Sequence, residues 1–463
     1  MSGAVATTFE AVDPSTREPF ASIRECSPAE VAAAVHAARE PLRDPAWGRP
    51  ATRAAALRAL ARGIEAEGDE LAVLESRDTG KPLAQARTDV RVTIDYFDYY
   101  AGAAAAIRGA SIPLGPELLD YTVREPWGVC AQIIPWNYPM QVLARCAAPA
   151  LAAGNAVVVK PSELGSVTPL RIAEIALERG LPAGALGVVT GHGMVGEALV
   201  ADPGVDFVTF VGSAAVGRLV AAACAQRLVP VQLELGGKSP NVVFSDADLD
   251  RAAPVIVKSL LQNAGQSCSA GSRLLVEEAV RDALLERVLD RMRAVRIGPG
   301  GEDPDLGPLV SEHQVARARG MLARAVDGGA ELLLGGGAPV GLEDGWYLEP
   351  TVVAGVGPGD EIFEEEVFGP VLSVTTFDGE EQAVALANAT PYGLVAGVWT
   401  RDIGRGHRVA AGISAGQVYV NGFGVAGGIE LPFGGMKQSG YGRGKGLEAL
   451  DSYTQIKNVC VAL

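Results

Sequence analysis

Short apolar runs alternate with helix-like stretches between residues 129 and 237, and this alternation constrains the fold more than any other feature. The apolar runs occupy residues 130–134, 156–159, 186–189, 207–211 and 231–235. Helical patterns lie between them at residues 141–153, 169–179 and 214–226. Continuous apolar runs of this length are typical of strands buried on both faces, and the helices supply the crossovers that parallel strands need. The segment predicts an open α/β domain that binds a nucleotide.

A second alternation extends from about residue 241 to 433, with helical signals at residues 248–262, 277–293 and 313–327. Before this alternating segment, the apolar positions of residues 27–75 recur with helical spacing. Ser27-Pro28-Ala29-Glu30 has the pattern of a helix start. Turn formers between residues 111 and 129 predict a hairpin. Because 463 residues exceed one ordinary core, we expect two α/β domains and a small β element.

The charge and cysteine content exclude several classes of function. Thirty-nine Lys and Arg against 55 Asp and Glu give a net charge of −16, which opposes general binding to nucleic acid or anionic membranes. The six cysteines have no paired spacing, so neither a disulfide framework nor a metal site is expected. The start has no secretion signal, and no apolar stretch approaches the ~20 residues that span a bilayer. We therefore expect a cytoplasmic protein.

Two segments point to covalent catalysis. Cys268 lies in the small-residue stretch Gly265-Gln266-Ser267-Cys268-Ser269, and Glu234 lies beside two glycines in Glu234-Leu235-Gly236-Gly237-Lys238. A thiol can serve as a nucleophile and a carboxylate as a base, and glycines let backbone approach a ligand closely. A lone cysteine is more often a small buried side chain, so residue type alone leaves both interpretations open.

Other polar residues follow the predicted strands, where ligands bind in open α/β sheets. Lys160 and Glu163 could hold the hydroxyls of a ribose, or form a solvated surface pair. Gly212-Ser213 could bind a phosphate at a helix N-terminus, or make an ordinary turn. Asn137 could donate to an oxyanion, or cap a helix. The G-x-G-x-x-G match that contains Gly193 has no acidic residue at the usual distance and is weak alone.

Taken in order, these segments resemble the aldehyde dehydrogenase superfamily. The matching motifs, which run through most of the chain, are Pro135-Trp136-Asn137, Lys160-Pro161-Ser162-Glu163, Gly212-Ser213, Glu234-Leu235-Gly236-Gly237-Lys238, Gly265-Gln266-Ser267-Cys268, Glu366-Val367-Phe368-Gly369-Pro370 and Pro432-Phe433-Gly434-Gly435. The resemblance implies NAD(P)-dependent oxidation of an aldehyde to its acid through a cysteine thioester. It also implies two Rossmann-like domains, the cofactor domain at residues 1–108 and 127–238 and the catalytic domain at 239–438.

The resemblance assigns roles to individual residues. It implies that Cys268 is the nucleophile, Asn137 the oxyanion donor and Glu234 the base that activates water. The residues implied to bind the cofactor are Ile134, Trp136, Lys160, Ser162, Glu163, Gly193, Gly212, Ser213, Leu235, Gly236, Glu366 and Phe368. Because Glu163 would repel the extra phosphate of NADP, we expect NAD, with NADP still possible. Members that pass the acyl group to coenzyme A generally lack the base, so Glu234 favours hydrolysis.

The resemblance also describes the substrate tunnel. Its implied residues are Tyr138, Val142, Arg145, Ser267, Ser269, Phe423 and Phe433. Arg145 is the only cation in this set, and it could bind a carboxylate on the substrate. Pairing with Glu430 or exposure at the surface is the interpretation that the sequence favours.

Two positions depart from the pattern of many members. Cys146 replaces a lysine and Gly444 a glutamate, and relatives that keep both groups can pass protons from the base between them. We hypothesise that water takes over this path. The hairpin at residues 109–126 and the tail at 439–463 resemble oligomerisation elements, so a homodimer or homotetramer is expected.

Two other functions remain compatible with the sequence. Esterase or acyl-transfer activity through Cys268 would proceed without reducing a cofactor. A catalytically idle member would be expected to lack Cys268, Glu234 or Asn137, and all three are present.

Overall fold

The computed structural model describes residues 7–424 and 428–463. Residues 1–6 of the predicted cofactor domain, and residues 425–427 of the glycine-rich loop at 422–428, lie outside the described residues. The strands are β1 (Thr8–Val12), β2 (Pro19–Arg24), β3 (Ser111–Ile112), β4 (Leu118–Pro126), β5 (Val129–Ile134), β6 (Ala156–Pro161), β7 (Leu186–Val188), β8 (Phe207–Val211), β9 (Val231–Glu234), β10 (Pro240–Val243), β11 (Arg273–Glu277), β12 (Glu331–Leu334), β13 (Thr351–Ala354), β14 (Val371–Phe377), β15 (Val395–Trp399), β16 (Gln417–Val420), β17 (Gly440–Tyr441) and β18 (Thr454–Ala462).

Helices cover both faces of the sheets that these strands form. They are α1 (Pro28–Ala38), α2 (Pro50–Ala66), α3 (Gly68–Thr79), α4 (Leu83–Ala103), α5 (Pro139–Ala153), α6 (Val167–Glu178), α7 (Gly193–Ala201), α8 (Ala214–Arg227), α9 (Leu249–Leu261), α10 (Arg281–Arg293), α11 (Glu312–Asp327), α12 (Glu361–Glu364), α13 (Gly379–Asn388), α14 (Ile403–Gly412) and α15 (Glu448–Ser452). Among the described residues, none of these helices is both long enough and apolar enough to span a bilayer.

The first large sheet has the strand order β17-β9-β8-β5-β6-β7, in which only β17 runs antiparallel to its neighbour. Its strands are mostly apolar because successive side chains enter two different cores. Cys130 and Val157 pack with α2, α4 and α5 on one face. Ala131 and Val158 pack with α1, α7 and α8 on the other.

The second large sheet has the order β12-β13-β14-β11-β10-β15-β16, in which only β12 is antiparallel. The fold class predicted from the alternating pattern is therefore confirmed. The carboxyl end of β9, in the first sheet, lines a large cleft. The segment that follows α9, in the domain of the second sheet, lines the same cleft. Such edges are where open α/β sheets bind ligands.

Two small antiparallel sheets complete the fold. The predicted hairpin is present as β3 and β4, and β18 extends it by pairing with β4 along its whole length. The predicted tail at residues 439–463 contributes to two sheets, since β17 belongs to the first large sheet. The pairing of β1 with β2, and helix α7, were not predicted. The predicted start of α1 is confirmed: Ser27 and Glu30 form a reciprocal capping box.

A buried ion cluster ties the N-terminal helices to the turn before α5. The Lys81 Nζ donates to Glu75 Oε1 at 3.2 Å, to Asp89 and to the backbone oxygen of Asn137 at 3.0 Å. The side chains of Lys81 and Glu75 are fully excluded from solvent. Although burial lowers the pKa of Lys81, the Asp89 and Glu75 carboxylates raise it above its ordinary value. Lys81 thus stays charged while it holds the turn that carries Asn137.

Replacement of Lys81 tests the contribution of this cluster to stability. We expect Lys81→Met to lower the free energy of unfolding by about 3 kcal/mol or more, because it leaves buried carboxylates without their cation. Lys457→Met is the matched control, since Lys457 pairs with Glu125 at 2.5 Å but is 56% exposed. Denaturant unfolding followed by fluorescence measures both variants. Equal unfolding midpoints for the two would contradict a structural role for the cluster.

Candidate active site

Cys268 lies in the turn that follows α9. The turn is sharp because Asn263 and Ala264 adopt left-handed backbone angles, with φ of 52° and 54°, and Gly265 has φ of 75°. A Cβ on Gly265 would lie 2.1 Å from the backbone oxygen of Gly369, so glycine is required there. The turn places the Cys268 thiol at the wall of the large cleft.

Asn137 lies beside this turn and is fixed from two directions. Its Nδ2 donates to the backbone oxygen of Gln266 at 2.9 Å. Its own backbone oxygen accepts from Asn263 Nδ2 at 2.9 Å and from Lys81. An amide nitrogen has two hydrogens, and one remains after the bond to Gln266. Within the described residues the N–H of Cys268 also makes no hydrogen bond. Two donors are therefore available next to the thiol.

Glu234 ends β9 and is 3% exposed. Its Oε1 accepts a bond from Gln232 at 3.3 Å, whereas its Oε2 is buried without a partner among the described residues. A Cβ on Gly237 would lie 2.6 Å from the backbone oxygen of Cys268, so this glycine lets the two segments approach closely. The strand end and the thiol turn therefore line one cavity.

Burial sets the protonation of both groups. It raises the pKa of Glu234 to about 7, although the Arg145 guanidinium opposes this shift. Burial also raises the pKa of the Cys268 thiol to about 11. At neutral pH the thiol is protonated and the carboxyl group is near its midpoint. The site thus contains a neutral nucleophile and a carboxylate whose pKa suits general-base catalysis.

Two of the residues expected to position a cofactor also line the cleft. Glu366 Oε1 accepts the N–H of Gly237 at 3.2 Å, and burial raises the pKa of Glu366 to about 7. The ring of Phe368 meets the ring of Trp136 edge to face, with centroids 5.3 Å apart. These contacts bring a residue from before α5 in the first sheet's domain against a segment of the second.

The cavity is lined by most of the predicted site residues. They are Asn137, Glu234 and Cys268, then Trp136, Gly212, Ser213, Gly236, Glu366 and Phe368, and the tunnel residues Tyr138, Val142, Arg145, Ser267, Ser269, Phe423 and Phe433. Six predicted cofactor residues do not line it: Ile134, Lys160, Ser162, Glu163, Gly193 and Leu235. These six lie at the same edge of the first sheet, at or beyond the ends of β5, β6 and β9 and at the start of α7.

Two of the open alternatives can be compared with the structure. Lys160 is 5% exposed, and its Nζ lies 3.9 Å from Glu163 Oε2. Lys160 is therefore not the solvated member of a surface pair. Ser213 caps α8, because its side chain accepts the N–H of Val216, so it also has the turn role that the sequence allowed. The backbone at this helix start still provides donors for an anion.

The favoured interpretation of Arg145 is wrong. Arg145 is 8% exposed, and it forms no ion pair with Glu430 or another described carboxylate within 4.0 Å. Its Nε and Nη2 atoms are buried without hydrogen-bond partners in the described part of the chain. Its guanidinium carbon lies 5.1 Å from the centroid of the Phe433 ring. Arg145 belongs to the wall of the cavity.

Sequence reasoning missed two residues of this region. Lys445 lines the cavity, so Arg145 is not the tunnel's only cation. Lys81 lies behind Asn137 and below the Tyr138 ring, 4.6 Å from its centroid. Neither lysine stands in a motif, and their positions depend on contacts between distant segments. No group of three His, Cys, Asp or Glu side chains in residues 7–424 and 428–463 is arranged to hold a metal ion.

Comparisons with known proteins show which family the chain belongs to. The family model described as "Aldehyde dehydrogenase family" matches residues 2–459. A putative aldehyde dehydrogenase from Burkholderia cenocepacia is 48% identical, with a TM-score of 0.96 over 98% of this chain and 96% of that one. An NAD-dependent aldehyde dehydrogenase from Sinorhizobium meliloti is 42% identical, with a TM-score of 0.96 over 99% and 92%. An NAD+ complex of an aldehyde dehydrogenase from Bacillus cereus is 38% identical, with a TM-score of 0.96 over 99% and 94%.

Proposed function

Since the chain belongs to the aldehyde dehydrogenase family, we propose that it oxidises an aldehyde to its carboxylic acid through a thioester on Cys268, which Glu234 helps to hydrolyse. The enzyme is an NAD-dependent aldehyde dehydrogenase. One observation carries the proposed mechanism: Cys268, Glu234 and Asn137 come from three separate segments and line one cavity. If each of the three residues had only a structural role, they would not need to line the same cavity.

The residues around the cleft fit NAD. Ser213 begins α8 directly after β8, so the backbone N–H groups of this helix start can bind the pyrophosphate. Lys160, near the end of β6, and Glu163, just after it, would hold the adenosine ribose. Glu366 and Phe368 would hold the nicotinamide end. A Cβ at Gly193 would meet nothing within 4 Å, which leaves space beside the start of α7. When bound, NAD supplies the acceptor for the aldehyde hydride.

In the first half of the reaction, the sulfur of Cys268 attacks the aldehyde carbon. Because the thiol has a pKa of about 11, it is protonated at rest, and it gives up its proton to water in the open cleft as the sulfur attacks. Asn137 Nδ2 and the N–H of Cys268 donate to the oxyanion that develops on the former carbonyl oxygen. Loss of hydride from that carbon leaves a thioester on Cys268.

In the second half, Glu234 draws a proton from water, which attacks the thioester carbon. The tetrahedral oxyanion is held by the same two donors and collapses with release of the Cys268 sulfur. The product acid departs and the thiol regains its proton. Burial of Glu234 favours this step, because a carboxylate with a pKa near 7 is a stronger base than an exposed carboxylate.

We also propose a homodimer or homotetramer in the cytoplasm. The strand β18 is mostly exposed along its length, and apolar side chains such as Ile456 (62% exposed) lie on it. Exposed edge strands favour pairing with a second subunit. A reducing compartment would keep Cys268 as a free thiol, as the mechanism requires.

Two substitutions separate the halves of the reaction. Cys268→Ala is expected to abolish NADH formation, because no thioester can form. Glu234→Gln is expected to give one rapid equivalent of NADH per site, followed by steady turnover reduced at least about 100-fold, because hydrolysis loses its base. Stopped-flow absorbance of NADH with an aldehyde panel measures both. Cys460→Ala is the control, since Cys460 is exposed and does not line the cavity. NADH formation by Cys268→Ala at the wild-type rate would refute the mechanism.

The pH dependence of hydrolysis follows from the pKa of Glu234. The ionised carboxylate is the active base, so the rate of thioester hydrolysis is expected to rise with pH up to about 7 and then level off. Since Arg145 lowers this pKa, Arg145→Met should move the midpoint to higher pH. Decay of a preformed thioester, followed in quenched samples by mass spectrometry, isolates this step from acylation. A hydrolysis rate that stays constant from about pH 5 to about pH 8 would contradict the assignment.

Cofactor preference tests the role of Glu163. Glu163→Gln removes a negative charge beside the proposed ribose site, so the ratio of kcat/KM with NADP to that with NAD is expected to rise about 3- to 10-fold. Glu174→Gln is the matched control, because Glu174 lies on α6 with its side chain 64% exposed. An unchanged ratio in Glu163→Gln would show that another residue selects the cofactor.

A further inference from the structure

Two cations converge on one aromatic ring at the substrate end of the cavity. The guanidinium carbon of Arg145, on α5, lies 5.1 Å from the Phe433 ring centroid. The Nζ of Lys445, in the segment before α15, lies 5.5 Å from the same centroid. Both side chains line the cavity that contains Cys268 and Glu234. They reach it from segments that are distant in sequence.

The described part of the protein does not satisfy the hydrogen-bond donors of Arg145. Arg145 Nε and Nη2 are buried without hydrogen-bond partners. No described carboxylate lies within 4.0 Å of Arg145 or Lys445. A buried guanidinium without a partner is costly, because its desolvation is not offset by hydrogen bonds. These unused donors point to a ligand that supplies acceptors.

The charges at this end of the cavity do not balance. Glu234, on β9, is the carboxylate that faces Arg145 and Lys445. Cys268 and Cys146 have thiol pKa values raised to about 11 by burial, and the pKa of Tyr96 on α4 is also raised, so these groups are neutral. Burial and the charge of Arg145 lower the pKa of Lys445 to about 8. Two cations therefore face a carboxyl group that is only partly ionised at neutral pH, so this end of the cavity has an excess of positive charge.

The glycine at position 444 keeps Arg145 free to bind a ligand. A Cβ there would lie 3.2 Å from Glu234 Oε1 and 3.7 Å from Arg145 Nε. An acidic side chain at this position would reach the guanidinium and neutralise it from within the protein. Glycine leaves the gap between base and guanidinium open instead.

We propose that Arg145 and Lys445 together bind the carboxylate of a substrate that carries an aldehyde at one end and an acid group at the other. The proposal rests on the proposed function and names the substrate class of that same site. Guanidinium and ammonium groups are the usual partners of carboxylates, and Phe433 provides an apolar surface between them for the carbon chain. The aldehyde end then lies toward Cys268.

Matched pairs of substrates test this selectivity. Succinate, glutarate and adipate semialdehydes are compared with butanal, pentanal and hexanal, and the readout is the ratio of kcat/KM for each pair of equal chain length. For the wild-type enzyme we expect a ratio of at least about 10 for one of the pairs, from a charged hydrogen bond to the acid group. Lys445→Met and Arg145→Met should each lower that ratio about 10-fold, whereas Lys445→Arg should retain most of it.

The ratio separates selectivity from effects on the chemistry. Removal of Arg145 also alters the pKa of Glu234, and the ratio cancels the part of that change that acids and uncharged aldehydes share. Arg319→Met, which changes an exposed residue that does not line the cavity, should leave the ratio unchanged. A wild-type ratio near one for all three pairs, or an unaltered ratio in Lys445→Met, would overturn the proposal.

A measurement on the unaltered enzyme tests the proposal even where a variant fails to fold. Glutarate should inhibit pentanal oxidation at concentrations at least about 10-fold lower than pentanoate does, because only the dicarboxylate carries the second acid group. Equal inhibition by the two would overturn the proposal. Absence of NADH formation with every aldehyde would instead refute the proposed function, so the two failures are distinguishable.

Discussion

The buried charge of Lys81 is the interaction on which the geometry of the cleft depends. Its ammonium group joins Glu75 on α3, Asp89 on α4 and the backbone oxygen of Asn137. A buried ammonium group is tolerated only where several acceptors surround it. These acceptors come from three segments, so their relative positions are fixed together. The turn that carries Asn137 is thus held from behind by helices that contribute no group to the chemistry.

Burial has opposite effects on groups of opposite charge within this cleft. It raises the pKa values of Glu234 and Cys268, which makes one a stronger base and keeps the other neutral. It lowers the pKa of Lys445, and Arg145 adds to that shift by repulsion. Because Arg145 also lowers the pKa of Glu234, the base and any group bound by the two cations are electrostatically linked. A negatively charged ligand at Arg145 would weaken its effect on Glu234 and so strengthen the base.

Much of this architecture could be predicted from sequence because it depends on local patterns. Continuous apolar runs such as Phe207–Val211 identified the parallel strands, and Ser27 with Glu30 identified a helix start. The positions of Cys268 and Glu234 came from short motifs. The burial of Arg145 could not be predicted, because helical spacing places a residue on a face without saying what covers that face. Lys445 was missed because it lies near Arg145 only as a result of the way the C-terminal segment folds back over α5.

Gly444 shows how one small residue can change two properties of such a site. A Cβ there would come within 4 Å of both the Glu234 carboxylate and the Arg145 side chain. The missing side chain removes a possible proton acceptor next to the base, and it also removes a possible counter-ion for the guanidinium. Both consequences follow from the absence of a side chain at position 444, so proton exit from Glu234 and recognition of an anionic substrate depend on the same residue.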